Sequence, residues 1–159
     1  VLRKVLNTED DWVLTLMRVV VGIVIFPHGA QLLLGWFGGY GYHASIAGFA
    51  REGIPPVFGF LAIVSEFLGS IGLIIGFMAR VAALGIAVDM VVAIFKVHLP
   101  YGFFMNWLGT QKGEGYEFHL LALALLIAIF VRGAGAFSLD HAVSRSLTRS
   151  ASTPVPSRA

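Results

Sequence analysis

The sequence contains no cysteine. Thiolate-ligated iron–sulfur clusters, disulfide relays and CxxC redox switches are therefore excluded. Charge is scarce too: 13% of the 159 residues are charged while 57% are hydrophobic, too little polarity to clothe an ordinary water-exposed surface. The formal net charge is only +2, and the basic residues sit at chain ends and in turns. They read as topology signals and not as a surface for nucleic acid. No A-x-A-like site follows the first apolar run, so no cleavable signal peptide is expected.

What remains is long apolar runs. Crossing a hydrocarbon core takes about 20 apolar residues, and four segments approach that length: 12–34, 55–77, 81–99 and 116–131. The reading is all-α, an integral membrane four-helix bundle. Lys and Arg counts place Arg3, Lys4, Arg80, Arg132, Arg145 and Arg149 on one side, so both termini are expected to be cytoplasmic. Residues 1–143 form the four-helix transmembrane domain. Residues 144–159, SRSLTRSASTPVPSRA, read as a disordered basic cytoplasmic tail.

Two long connections face outward, with aromatic runs GWFGGYGY and PYGFFMNW suited to an interfacial belt. The first ends in HASIAGFARE, whose spacing predicts a short interfacial helix. Ser65, Gly69, Gly72 and Gly76 make a small-residue stripe, and Ala79, Ala83 and Ala87 a matching one, as close helix packing requires.

Polar groups inside such runs are costly and are expected to be paired or to face a cavity. At 1.5 Å per residue from the cytoplasmic helix ends, Arg18 lies at roughly 9 Å, Asp89 at roughly 13 Å and Glu66 at roughly 18 Å. Arg18 and Asp89 are thus expected to form a structural ion pair. His28 and Gln31 share a helix face at greater depth, level with Lys96 and His98, and the fourth helix brings Glu117 to the same layer, with His119 slightly deeper. The candidate ligand-binding residues are His28, Gln31, Glu66, His98 and Glu117. No residue is assigned a catalytic role.

Three ligand chemistries suit that layer. Imidazole and carboxylate groups can hydrogen-bond a quinone and exchange protons with it. His28, His98 and Glu117 could hold a metal ion, and His28 with His98 a haem. The order is quinone, then metal, then haem, because no HExxH or ExxH spacing supports the last two.

HGAQ with GWFGGYG, then FAREGIPP, SEFLGSIGLIIGFMAR, VHLPYGFFMNW, GEGYEFHLL and GAFSLD, in this order, resemble the bacterial DoxX family over about residues 14 to 140. One departure is Leu32, where the family pattern commonly has Lys. The resemblance implies a multi-pass protein of the bacterial cytoplasmic (inner) membrane, similar to the small membrane subunits of a thiosulfate:quinone oxidoreductase. It implies a membrane subunit of a redox complex that acts, if it is enzymatic, as an oxidoreductase with a partner. The alternative is a non-enzymatic membrane anchor or assembly partner for another protein. Expected contacts are membrane lipid and another subunit or a second copy of the chain.

Overall fold

The computed structural model describes residues 5–151, with no side-chain placement given for 147–151. It is all-α, with six helices among the described residues: α1 (Trp12–Leu34), α2 (Gly41–Arg51), α3 (Pro56–Ile75), α4 (Ala79–Tyr101), α5 (Glu117–Arg132) and α6 (Leu139–Ala151). Three of them, α1, α3 and α4, are long and apolar enough to cross a membrane. At 16 residues, α5 is shorter.

Each boundary has a local cause. The Asp11 side chain accepts the Val13 amide at 2.7 Å and starts α1, which stops where Gly35 turns left-handed at φ 71°. Pro56 starts α3 at a position where its missing N–H costs nothing. The short helix expected in HASIAGFARE is present as α2. Residues 144–151, expected to lack structure, instead continue α6, whose residues alternate between apolar and polar faces strongly enough to form a helix against a surface. Residues 152–159, the rest of that expected tail, lie outside the described residues.

The core lies between α1, α3, α4 and α5, built from Val21, Ile25, Leu73, Ala83, Ile86, Leu126 and Ile129. Small residues set the helix spacing. A Cβ at Gly22 would stand 2.8 Å from Ser70 O, and one at Gly29 would stand 2.6 Å from Phe67 Cα, so α1 and α3 touch backbone to backbone. On the other face of α3 a Cβ at Gly69 would meet Ile86 at 3.3 Å, and Ser65 nests against Gly85 of α4. The small-residue stripe of α3 therefore packs within the chain.

The tight turn between α3 and α4 is held by two buried charges. Arg18 donates to Leu73 O and Ile74 O at 2.6 Å each, to Ala134 O at 2.6 Å and to Phe137 O. A cation thus sits where the last carbonyls of α3 have no helical partner. Asp140 does the converse: its carboxylate accepts Met78 N at 2.8 Å and Ala79 N at 2.9 Å, the orphan amides at the start of α4. Burial raises the Asp140 carboxyl above its usual range, while the two amides and Arg18 pull it back.

The expected Arg18–Asp89 ion pair does not form. Among the described residues ion pairs join Arg132 to Glu9 and, at 3.4 Å, to Asp11. Arg18 grips the α3–α4 turn, whereas Asp89 lies ten residues, about 15 Å, further along α4. Depths counted from each helix's own start concealed this, because α1 begins more than a turn beyond the level at which α4 begins.

Candidate functional site

Counting from the α3–α4 turn aligns the polar groups. Glu66 is ten residues before Gly76, Asp89 ten after Ala79, and His28 ten after Arg18. The three therefore share a level. Glu66 and Asp89 face one another across α3 and α4. Glu66 is 9% exposed, and its Oε2 is buried without a hydrogen-bond partner.

Glu66 sits in a π-helical turn, Ser65–Gly69, and a second one, Ile94–His98, lies further along α4. Such turns widen the helix by one residue and re-aim the side chains they carry. Here they swing Ser65 and Glu66 from one side, and Lys96 and His98 from the other, onto a common cavity.

The cavity measures about 630 Å³. His28 and Gln31 of α1, Ser65 and Glu66 of α3, and Asp89, Lys96 and His98 of α4 supply its polar lining. The remaining wall is apolar and includes Phe49, Phe58, Leu61, Val88 and Val92. Phe58, Leu61, Val88 and Val92 are also exposed on the outside of the molecule, so the cavity opens sideways between α3 and α4. Four of the five expected ligand-binding residues, His28, Gln31, Glu66 and His98, thus line one space.

Glu117 does not line it. Its Oε1 accepts Trp107 Nε1 at 2.7 Å and Met105 N at 3.0 Å, so the carboxylate organises the connection between α4 and α5. Two more contacts order that connection: Asn106 N donates to Glu114 Oε2 at 2.7 Å, and the His98 ring meets Glu114 O at 2.8 Å. A carbonyl can only accept, so His98 Nδ1 carries the proton there. The Gln31 amide donates to Phe37 O at 3.2 Å and steadies the turn after α1, where Phe37 takes φ 52°.

Sequence reasoning underweighted His119. It is 6% exposed, its ring centroid lies 4.1 Å from that of His98, and its Nδ1 has no hydrogen-bond partner. Phe118 beside it reaches His28 at 6.4 Å between centroids. His28, His98 and His119 thus form a chain of rings behind the cavity, although among the described residues no group of three His, Asp or Glu is arranged to hold a metal ion. Asp140 was visible beforehand only as the last residue of GAFSLD.

Comparison with known proteins finds a family model and a distant relative that match this chain. The family model described as DoxX matches residues 13–99, which spans α1 to α4 and every residue lining the cavity. The "Putative oxidoreductase CatD" of Bacillus subtilis (strain 168) is 26% identical over 125 residues, covering 79% of this chain and 82% of that protein. No solved structure gives a significant match.

Proposed function

We propose that this chain, which belongs to the DoxX family, is the membrane subunit of a redox complex and binds a quinone or similar small molecule in the cavity between α1, α3 and α4. One observation carries the reading. The cavity has a polar end and an apolar side opening toward the lipid-facing surface, which is the shape an amphiphile with a polar head and an apolar tail requires.

The buried polar atoms fit such a head. Glu66 Oε2 lacks a partner, and His98, with Nδ1 committed to Glu114 O, turns a free Nε2 to other groups. The rings of His28 and His98 can each donate or accept a hydrogen bond at that head. Phe58 and Val88 flank the path of a tail. A bound quinone would supply two-electron chemistry, and in the proposed complex a partner protein receives or delivers the electrons. The name of the Bacillus subtilis relative supports an oxidoreductase role and no particular substrate.

The finer topology belongs to the same proposal. With α5 as a fourth, shorter span, Arg80, Arg132 and the Arg18–Asp140 turn lie at one end and the aromatic connections at the other, so both termini are cytoplasmic in a bacterial inner membrane.

Photolabelling tests this reading. An azido-quinone irradiated with the purified protein should label peptides from 55–66 or 85–98. Labelling confined to the exposed aromatics of 101–108 would contradict it.

A further inference from the structure

We infer that Glu114 is a positioning residue: its backbone carbonyl fixes the tautomer and aim of His98, so the connection between α4 and α5 decides which ring nitrogen the cavity receives. What a ligand gains from this rests on the quinone reading above, whereas the tautomer does not. The observation is one hydrogen bond that ties the cavity to the connection. His98 lines the cavity, and its Nδ1 meets Glu114 O at 2.8 Å.

The hydrogen bond made by one ring nitrogen of a histidine sets the protonation of the other. A carbonyl only accepts, so the proton stays on Nδ1 and Nε2 is the nitrogen left for a ligand. Nε2 accepts while the ring is neutral and donates when the ring is charged, so this contact favours neither a carbonyl nor a hydroxyl head. His119 confines the ring from a second direction, with its centroid 4.1 Å away.

The Glu114 carbonyl is itself held in place. Gly115 N donates to Phe104 O at 3.2 Å, Tyr116 N to Gly102 O at 3.2 Å and Glu117 N to Phe103 O at 2.9 Å, so segments 102–104 and 115–117 run side by side. The Glu114 carboxylate adds a further tie by accepting Asn106 N at 2.7 Å. Two glycines, Gly113 and Gly115, bracket Glu114 in the sequence. A Cβ at Gly113 would stand 2.6 Å from the Tyr101 ring and one at Gly115 would stand 2.6 Å from Gly102 O, so only bare backbone passes on either side of Glu114. An exposed residue thus carries a carbonyl with a fixed place.

Nitrogen-15 NMR of the histidine-labelled full chain in detergent tests the tautomer, under alkaline conditions where the rings are neutral, with His98 identified by its loss in His98→Ala. The parent should show His98 protonated at Nδ1 and bare at Nε2. Gly115→Ala forces the paired segments apart and should shift His98 toward a mixture of both tautomers, whereas Gly109→Ala, with nothing within 4 Å of its Cβ, should leave it as in the parent. If Gly115→Ala fails to fold, Glu114→Ala, which frees the Asn106 amide, carries the same expectation. A parent protonated at Nε2, or a folded Gly115→Ala with the parent's pattern, overturns the inference.

Calorimetric titration with a decyl-tailed benzoquinone reads the consequence for a ligand. Gly115→Ala should weaken binding about fivefold, the worth of one hydrogen bond, and should have no further effect in a His98→Ala background. Equal weakening in both backgrounds would show a general loosening of the fold and overturns the positioning role. A parent that shows the expected tautomer but binds no quinone supports the positioning and overturns the quinone reading alone.

Discussion

Arg18 and Asp140 close the α3–α4 turn from opposite sides, the guanidinium taking the last carbonyls of α3 and the carboxylate taking the first amides of α4. Their charges also attract one another. Each cancels the partial charge of a helix end, and α6 is pinned to the bundle through the same pair.

Removing either should cost stability. Asp140→Ala leaves two buried amides without acceptors and should lower unfolding free energy by about 1–3 kcal/mol, with Asp140→Asn milder because its oxygen can still accept one of them. Arg18→Ala strands four carbonyls and the Asp140 charge together, and should cost more, about 3–5 kcal/mol. Thermal unfolding in detergent, followed by circular dichroism, reads both. An Arg18→Ala variant as stable as the parent would contradict this account of the turn.

Gly29 is a packing residue whose effect extends to the cavity. Alanine there would bring a Cβ within 2.6 Å of Phe67 Cα, so α1 and α3 must separate, at a cost of about 1–3 kcal/mol. Because Glu66 precedes Phe67, ligand affinity should fall as well. Gly38→Ala is the comparison, since nothing lies within 4 Å of a Cβ there and only the strain of φ +79° is felt. Thermal unfolding and ligand titration of the two variants should differ in this order, with Gly29→Ala the more damaged.

Glu117 should act on the connection and not on the ligand. Glu117→Ala loses the acceptor of Trp107 Nε1 and Met105 N, so amide hydrogen exchange across residues 103–108 should accelerate several-fold. Ligand affinity should change less than for Glu66→Ala. A selective loss of affinity without loosening of the connection would return Glu117 to the cavity.

The Glu9 carboxylate is held below its usual range by the hydrogen bond from Arg132. A lowered carboxyl contributes stability above its unfolded value, and that contribution disappears as pH falls through the folded value. The pair is exposed, so the effect on unfolding is small. Carbon-13 NMR titration should give a Glu9 midpoint below that of an ordinary glutamate, returning to it in Arg132→Ala. An unchanged midpoint in the variant would show that the contact is not maintained in solution.

The apolar runs and their ends were legible because lipid imposes length and polarity on the sequence directly. Most of the cavity was legible too, since His28, Gln31 and His98 are costly in such runs without a purpose. What failed was partnership. Arg18 and Asp89 looked level because depth was counted from each helix start, and a sequence does not say where one helix begins relative to another. The turn MAR held the correct ruler: counting ten residues outward from it aligns Glu66 with Asp89. The orientation of Glu117 depended on how residues 100–116 fold, which carries no periodicity. The π-helical turns that aim Glu66 and His98 have no sequence signature of their own.

The central claim is that the cavity holds an amphiphilic redox ligand, and mass spectrometry of an organic extract tests it most directly. Protein purified in mild detergent would be compared with Ala93→Phe, which fills the cavity wall while leaving every polar group in place. Near-stoichiometric quinone or hydroquinone in the parent, lost in a variant that keeps its helical circular dichroism, is the result predicted. Equal recovery of quinone from both, or none enriched from either, would contradict the account and shift weight to an anchor role for the chain.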